Sequence, residues 1–301
     1  MKRRDFVKTA GAGAAAVGVV PGILTATPKN IVGERRYKKS LKYGMIKEDI
    51  PMVEKFKLVK ELGFDGVEMN SPNEFDTKEV VKASKKAGLP IPGIIDSVHW
   101  QMRLTDPDPS IRAKGLEGLR TAIRDAKDYG ASTVLLVPGR ATKEVSYDDA
   151  YNRSQEEIRK ILPMAEEYGI KIAIENVWNM FLLSPLEMAR YIDEFESEWI
   201  GAYFDVGNIV NYGWPEHWIK ILGKRIIKVD IKEYSRELRD KEGPRAGFRP
   251  KLGDGDCDWP DVRKAFEEIG YKGWASAEVP GGGRERLLEI SQNMDKILGL
   301  S

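Results

Sequence analysis

Cysteine is almost missing from this chain of 301 residues: Cys257 is the only one, which excludes a disulfide framework and a cysteine zinc cluster. It lies in a Gly/Asp loop with no base beside it, so it does not read as a nucleophile. Histidine is nearly as scarce, with His99 and His217 alone. That argues against the histidine-rich multi-metal centre of a nuclease. The net charge is only +1, and Lys and Arg are scattered among Asp and Glu. No basic field is present to hold nucleic acid. No Gly-rich dinucleotide fingerprint follows the first apolar strand pattern.

The first 26 residues are built differently. Lys2, Arg3, Arg4 and Lys8 precede a weakly apolar run from Ala10 to Val20, then Pro21 and small residues to Ala26. This is the layout of an export signal, and Arg3-Arg4 with Asp5-Phe6-Val7-Lys8 resembles a twin-arginine type. The run is too short and too rich in Gly and Ala for a membrane span. Residues 1–26 are therefore expected to be a signal peptide, 27–40 a linker and 41–301 one folded domain, in the periplasm or otherwise exported. No stable membrane span is expected after signal removal.

From Leu41 onward, strand and helix patterns alternate. Strands are expected at Leu41–Ile46, Asp65–Asn70, Ile91–Ser97, Thr133–Val137, Lys171–Glu175, Ile200–Asp205, Ile226–Asp230 and Trp274–Glu278. Between and after them come helices, many stopped by a glycine before the next strand, as in ELGFDGVE and EYGIKIAIE. Strict alternation demands a parallel sheet, and a count of eight predicts a closed (β/α)8 TIM barrel. One long segment, Lys232–Asp258, rich in charge, Gly and Pro, interrupts the rhythm after the seventh strand and reads as a cover over the site.

Four strands finish on an acid: Glu175, Asp205, Asp230 and Glu278. In a barrel of this kind the C-terminal strand ends form the functional rim. Carboxylates crowded there repel one another unless a cation or a proton intervenes. An all-oxygen set suits Mg²⁺ or Mn²⁺ better than softer metals. His99 follows the third strand and reads either as a hydrogen-bonded loop residue or as a contact to substrate or metal. Trp178 lies near a strand end, where core packing is the default for such a ring and stacking on a bound molecule the functional reading. Glu68, taken as the end of strand two, reads as a substrate-hydroxyl contact or a structural ion pair, and Lys232 as a neutralising or substrate-binding cation.

The segments IENVW, YFDVGN, IKVDIKEYSRE, LGDGDCDW and SAEVPGG, in this order, resemble the xylose isomerase-like sugar phosphate isomerase/epimerase barrels, especially the ketose 3-epimerases. The likeness covers most of residues 41–298. It implies a divalent metal held by Glu175, Asp205, Asp230 and Glu278, with Asp230 standing where the family usually has a histidine. It also implies that Glu175 and Glu278 move protons beside a carbonyl, and that Arg236 and Asn208 contact substrate, Asn208 replacing a second family histidine. The expected activity is epimerisation or isomerisation of a ketose or keto-sugar through an enediolate. Elimination from a 3-keto-glycoside, or sugar binding without turnover, are the alternatives. A small sugar is the expected partner, and homo-oligomerisation is left open.

Overall fold

The structure, a computed structural model, describes residues 36–300. The expected export signal and the linker as far as residue 35 lie outside the described residues. Eight parallel strands close into a barrel in sequence order. They are β1 (Tyr37–Lys42), β2 (Gly66–Ser71), β3 (Ile94–Asp96), β4 (Thr133–Leu136), β5 (Lys171–Glu175), β6 (Ile200–Asp205), β7 (Ile226–Ile231) and β8 (Gly273–Ala277). The ring shuts through β1 against β8, in register from Tyr37 opposite Gly273 to Leu41 opposite Ala277.

Ten helices are described: α1 (Met52–Glu61), α2 (Thr77–Ala87), α3 (Pro109–Tyr129), α4 (Tyr147–Tyr168), α5 (Pro185–Asp193), α6 (Val206–Val210), α7 (Pro215–Leu222), α8 (Arg236–Glu242), α9 (Trp259–Glu268) and α10 (Arg284–Leu298). Local chemistry fixes their ends. Asp76, Asp108, Ser146 and Ser184 each accept a backbone N–H of the first turn that follows, satisfying a donor the helix cannot. Gly169 ends α4 at φ 70°, a left-handed geometry that costs a side-chain-bearing residue energy, and so turns the chain directly into β5. The large apolar core lies between sheet and helices, with Leu41, Val67, Val134, Ile172, Ile174, Phe204 and Ile231 pointing outward into it.

Most strands lie within one residue of expectation, and the two that differ by more do so for a physical reason. β1 begins at Tyr37, so Tyr37–Ser40, expected in the linker, belong to the barrel, while Tyr43–Met45 is a turn of 3₁₀ helix. The lysines of YKKSLK hid it: Lys39 and Lys42 are buried, and each pairs with a carboxylate. β3 is shorter than expected because Pro90 and Pro92 lack the N–H a ladder needs. The segment Lys232–Asp258 is ordered by α8 and a 3₁₀ helix at Pro244–Phe248. No helix of the described residues is long and apolar enough to cross a membrane.

Candidate metal centre

Glu175 is the last residue of β5, Asp205 of β6, and Glu278 follows β8 directly, its N–H donating to the Ile231 carbonyl at 3.0 Å. Asp230 is the next-to-last residue of β7 and lies opposite both Asp205 and Ser276. The four offer carboxylate oxygens that all lie within 4.8 Å of one another. The rim expected from strand ends is therefore a single cluster.

Asparagines brace it. Asn176 and Asp205 exchange two backbone–side-chain hydrogen bonds, each of 2.8 Å, locking the end of β5 to that of β6. Asp205 Oδ1 accepts the Asn208 N–H at 2.7 Å and so starts α6, and the Asn208 amide donates back to the Asn176 carbonyl. Gly207 lets α6 press against β7: a Cβ there would meet the Lys232 backbone at 2.9 Å.

Two lysines stand among the acids. Lys232 Nζ is 2.9 Å from Asp205 Oδ2 and 3.3 Å from Glu278 Oε2. Lys42 Nζ, on β1, is 2.8 Å from both Asp230 Oδ1 and Glu68 Oε2. Asp205 Oδ2, both Asp230 oxygens and Glu278 Oε2 are nevertheless buried without a well-formed hydrogen bond. Burial, then the Glu278 charge, raise the Glu175 carboxyl well above the usual carboxylate range, and burial also raises Asp230 and Asp205. For Glu278 burial pulls the same way, yet Lys232 and Lys42 outweigh it and hold the group below the ordinary value.

These residues fit a divalent cation. Their donors are all oxygen, Asp230 Oδ2 is buried with neither a well-formed hydrogen bond nor an ion pair, and four carboxylates stand against two ammonium groups.

Above the acids lies a cavity of about 750 Å³ lined by Glu175, Glu278, Lys232, Asn208, Trp178 and Phe248, among others. A second, of about 340 Å³, is lined by Lys42, Asp96, His99, Glu175 and Glu278. Glu175, Glu278 and Trp100 border both. Trp178 is held by its indole N–H on the Asn208 carbonyl at 2.8 Å and by Phe248, ring centroids 4.8 Å apart. His99 is buried and its Nδ1 accepts the Val137 N–H at 3.3 Å, so the neutral ring carries its proton on Nε2. Burial lowers its pKa to about 4, against an opposing pull from Glu278.

Two expected contacts are placed elsewhere. Glu68 is in the middle of β2, not at its end, and lies inside the barrel in an ion pair with Lys228 at 2.6 Å as well as with Lys42. Tyr203 and Ser276 hydroxyls complete its shell, which fits the structural ion pair of its two readings. The alternation that turns Val67 and Met69 outward turns Glu68 inward, where it meets lysines of β1 and β7 that a reading of single strands does not show. Arg236 does not line either cavity; its guanidinium donates to the Val210 and Gly213 carbonyls and lies over Trp214. The start of α8 turns it that way. His217 is exposed on α7. Sequence reasoning missed Lys42, whose signal was only a lysine at a strand end. It also missed Asp96, which closes β3 and lines the smaller cavity, with burial raising its pKa to about 7.

Residues 56–298 match the sequence pattern of the xylose isomerase-like TIM barrel family. L-ribulose-5-phosphate 3-epimerase UlaE of Escherichia coli O1:K1 is 28% identical over 191 residues, which cover 57% of this chain and 66% of that protein, just under two thirds of its length. The enzyme of the same name from Salmonella typhimurium is 27% identical over 187 residues, with the same coverage. Among solved structures, the apo form of the 3-keto-D-glucoside 4-epimerase YcjR from E. coli superposes with a TM-score of 0.72 at 16% identity, covering 87% of this chain and 98% of that one. An L-ribulose 3-epimerase gives 0.71 at 18% identity, covering 88% and 95%. The closed eight-stranded barrel, the acids at its strand ends and the matched sequence lead to one statement: this chain belongs to the xylose isomerase-like TIM barrel family.

Proposed function

We propose that this protein is a divalent metal-dependent epimerase or isomerase of a ketose or keto-sugar. The observation that carries the reading is the pair Glu175 and Glu278, which borders both cavities and sits within the four-carboxylate cluster. The two come from strands three apart in an eight-strand ring, and so approach a molecule seated between them from different sides. Each is placed to exchange a carbon-bound proton, one taking it from one face and the other returning it to the opposite face. Glu175, Asp205, Asp230 and Glu278 would hold Mn²⁺ or Mg²⁺, which supplies polarisation of the carbonyl next to the proton that leaves. Lys232 places an ammonium in the larger cavity, against the negative charge that develops on oxygen. Trp178 and Phe248 offer apolar ring surface to the sugar, and Asn208 and the His99 Nε2–H offer hydrogen bonds to its hydroxyls. The curated relatives named above, both 3-epimerases of a ketose phosphate, support this assignment.

The test is deuterium uptake. Protein with added Mn²⁺ or Mg²⁺ is incubated in D₂O with ketoses and 3-keto-glycosides. Deuterium is expected next to the carbonyl, and its loss in Glu175→Gln, in Glu278→Gln and on chelation. Product identification then separates an epimer from an eliminated sugar. No exchange on any substrate would discard the proton-transfer mechanism. Residues 1–26 are likewise proposed to direct export, which cell fractionation with and without Arg3 and Arg4 tests.

A further inference from the structure

Among the described residues, Arg140 and Arg245 alone of the arginines have side chains with neither a hydrogen bond nor an ion pair. Every other described arginine reaches a carboxylate, a backbone carbonyl or a side-chain amide; Arg112 pairs with Glu157, Arg225 with Asp193, Arg263 with the Lys296 and Ile297 carbonyls. Both unpartnered arginines line the same cavity, the one of about 750 Å³ above Glu175 and Glu278.

Their backbones are braced. Thr105, fully buried, uses its hydroxyl on both sides of Arg140, accepting the N–H at 3.0 Å and donating to the carbonyl at 3.1 Å. Asn179, also buried, donates to the preceding Gly139 carbonyl at 2.7 Å. Arg245 rides on the 3₁₀ helix Pro244–Phe248, which the Tyr234 hydroxyl holds at the Pro244 carbonyl (2.9 Å) and the Ser235 N–H at the Gly247 carbonyl (2.8 Å). Buried polar groups are thus spent on holding two loops that each deliver a guanidinium without a counter-ion. The cavity is anionic at its carboxylate floor, so a negative group on a bound molecule is repelled there and held at the arginines. A guanidinium pair suits planar or tetrahedral oxyanions.

We propose that Arg140 and Arg245 form an anion subsite, and that the substrate is a keto-sugar carrying a terminal phosphate or carboxylate. Such a molecule lies with its carbonyl over Glu175 and Glu278 and its anion at the arginines. The inference rests on reading this cavity as the keto-sugar site.

Binding of unreactive analogues tests it apart from turnover. Ribitol, ribitol 5-phosphate and ribonate are titrated calorimetrically into the metal-loaded protein and into Arg140→Gln, Arg245→Gln and the double variant. At least one of the two anions is expected to bind about tenfold or more tighter than ribitol at low salt, with the advantage lost in the double variant and shrinking as salt rises. Whether ribitol 5-phosphate or ribonate gains more tells which anion the subsite takes. Equal affinities, an advantage unchanged in the double variant, or no detectable binding of either anion would overturn the proposal. Deuterium exchange on L-ribulose and L-ribulose 5-phosphate keeps the two readings apart. Exchange on L-ribulose with no affinity advantage for either anion sinks the subsite alone, and exchange on neither sugar sinks the proton-transfer reading.

Discussion

Lys42→Met removes the cation that, among the described residues, pairs with Asp230. Lys42 Nζ lies 2.8 Å from Asp230 Oδ1 and 2.8 Å from Glu68 Oε2, and donates to the Tyr203 hydroxyl at 3.2 Å. Glu68 survives the change, because Lys228 at 2.6 Å and the Tyr203 and Ser276 hydroxyls remain. Asp230 does not: without Lys42, burial and the charges of Glu278, Glu175 and Glu68 all push its carboxyl upward. Losing one partner of a buried pair costs about 3 kcal/mol or more, which in a domain of this size lowers Tm by roughly 6–12 °C. The deficit depends on pH. A folded-state carboxyl held above its unfolded value keeps a proton the unfolded chain gives up, so the variant loses stability as pH rises from about 4 toward neutrality. Urea unfolding of metal-free wild type, Lys42→Met, Asp230→Asn and the double variant at pH 5 and 7.5 measures this. The double variant is expected to recover at least about 1 kcal/mol relative to the sum of the singles. A Lys42→Met protein as stable as wild type at pH 7.5, or additive singles, would refute the charge pairing.

Two buried groups lining the smaller cavity should tilt stability in opposite directions. His99, with its pKa lowered by burial to about 4 from 6.5, binds a proton more readily when unfolded, so it removes up to about 3 kcal/mol as pH falls from 6.5 to 4. His99→Asn should flatten that limb of the unfolding free energy against pH. Asp96, raised by burial to about 7 from 3.8, costs stability as pH rises between those values. Asp96→Asn is expected to be more stable than wild type by about 2–4 kcal/mol at pH 8 and nearly equal at pH 4, read by the same denaturation. Gly207→Ala forces a methyl against the Lys232 backbone, where contact would be 2.9 Å. It should cost about 1–3 kcal/mol of stability, read by the same denaturation.

The order of strands and helices was legible in the chain because periodicity and glycine stops are local. So were Glu175, Asp205, Asp230 and Glu278: each sits at or beside the end of a strand, and the barrel's parallel connectivity carries every such end to one rim. What faces what across the ring was not local. Glu68 was open between a substrate contact and a structural ion pair, and Arg236 was expected to touch substrate from the family resemblance. Partners distant in sequence, Lys228 for the one and the Val210 and Gly213 carbonyls for the other, hold them away from that role. Lys42 looked like one lysine in a charged run, and it is buried between two carboxylates from β2 and β7. Arg140 and Arg245 stand out only once every other described arginine has found its partner. Strand patterns record which side chains turn inward, whereas the pairing of charges depends on distances between strands, and closure of the barrel sets those.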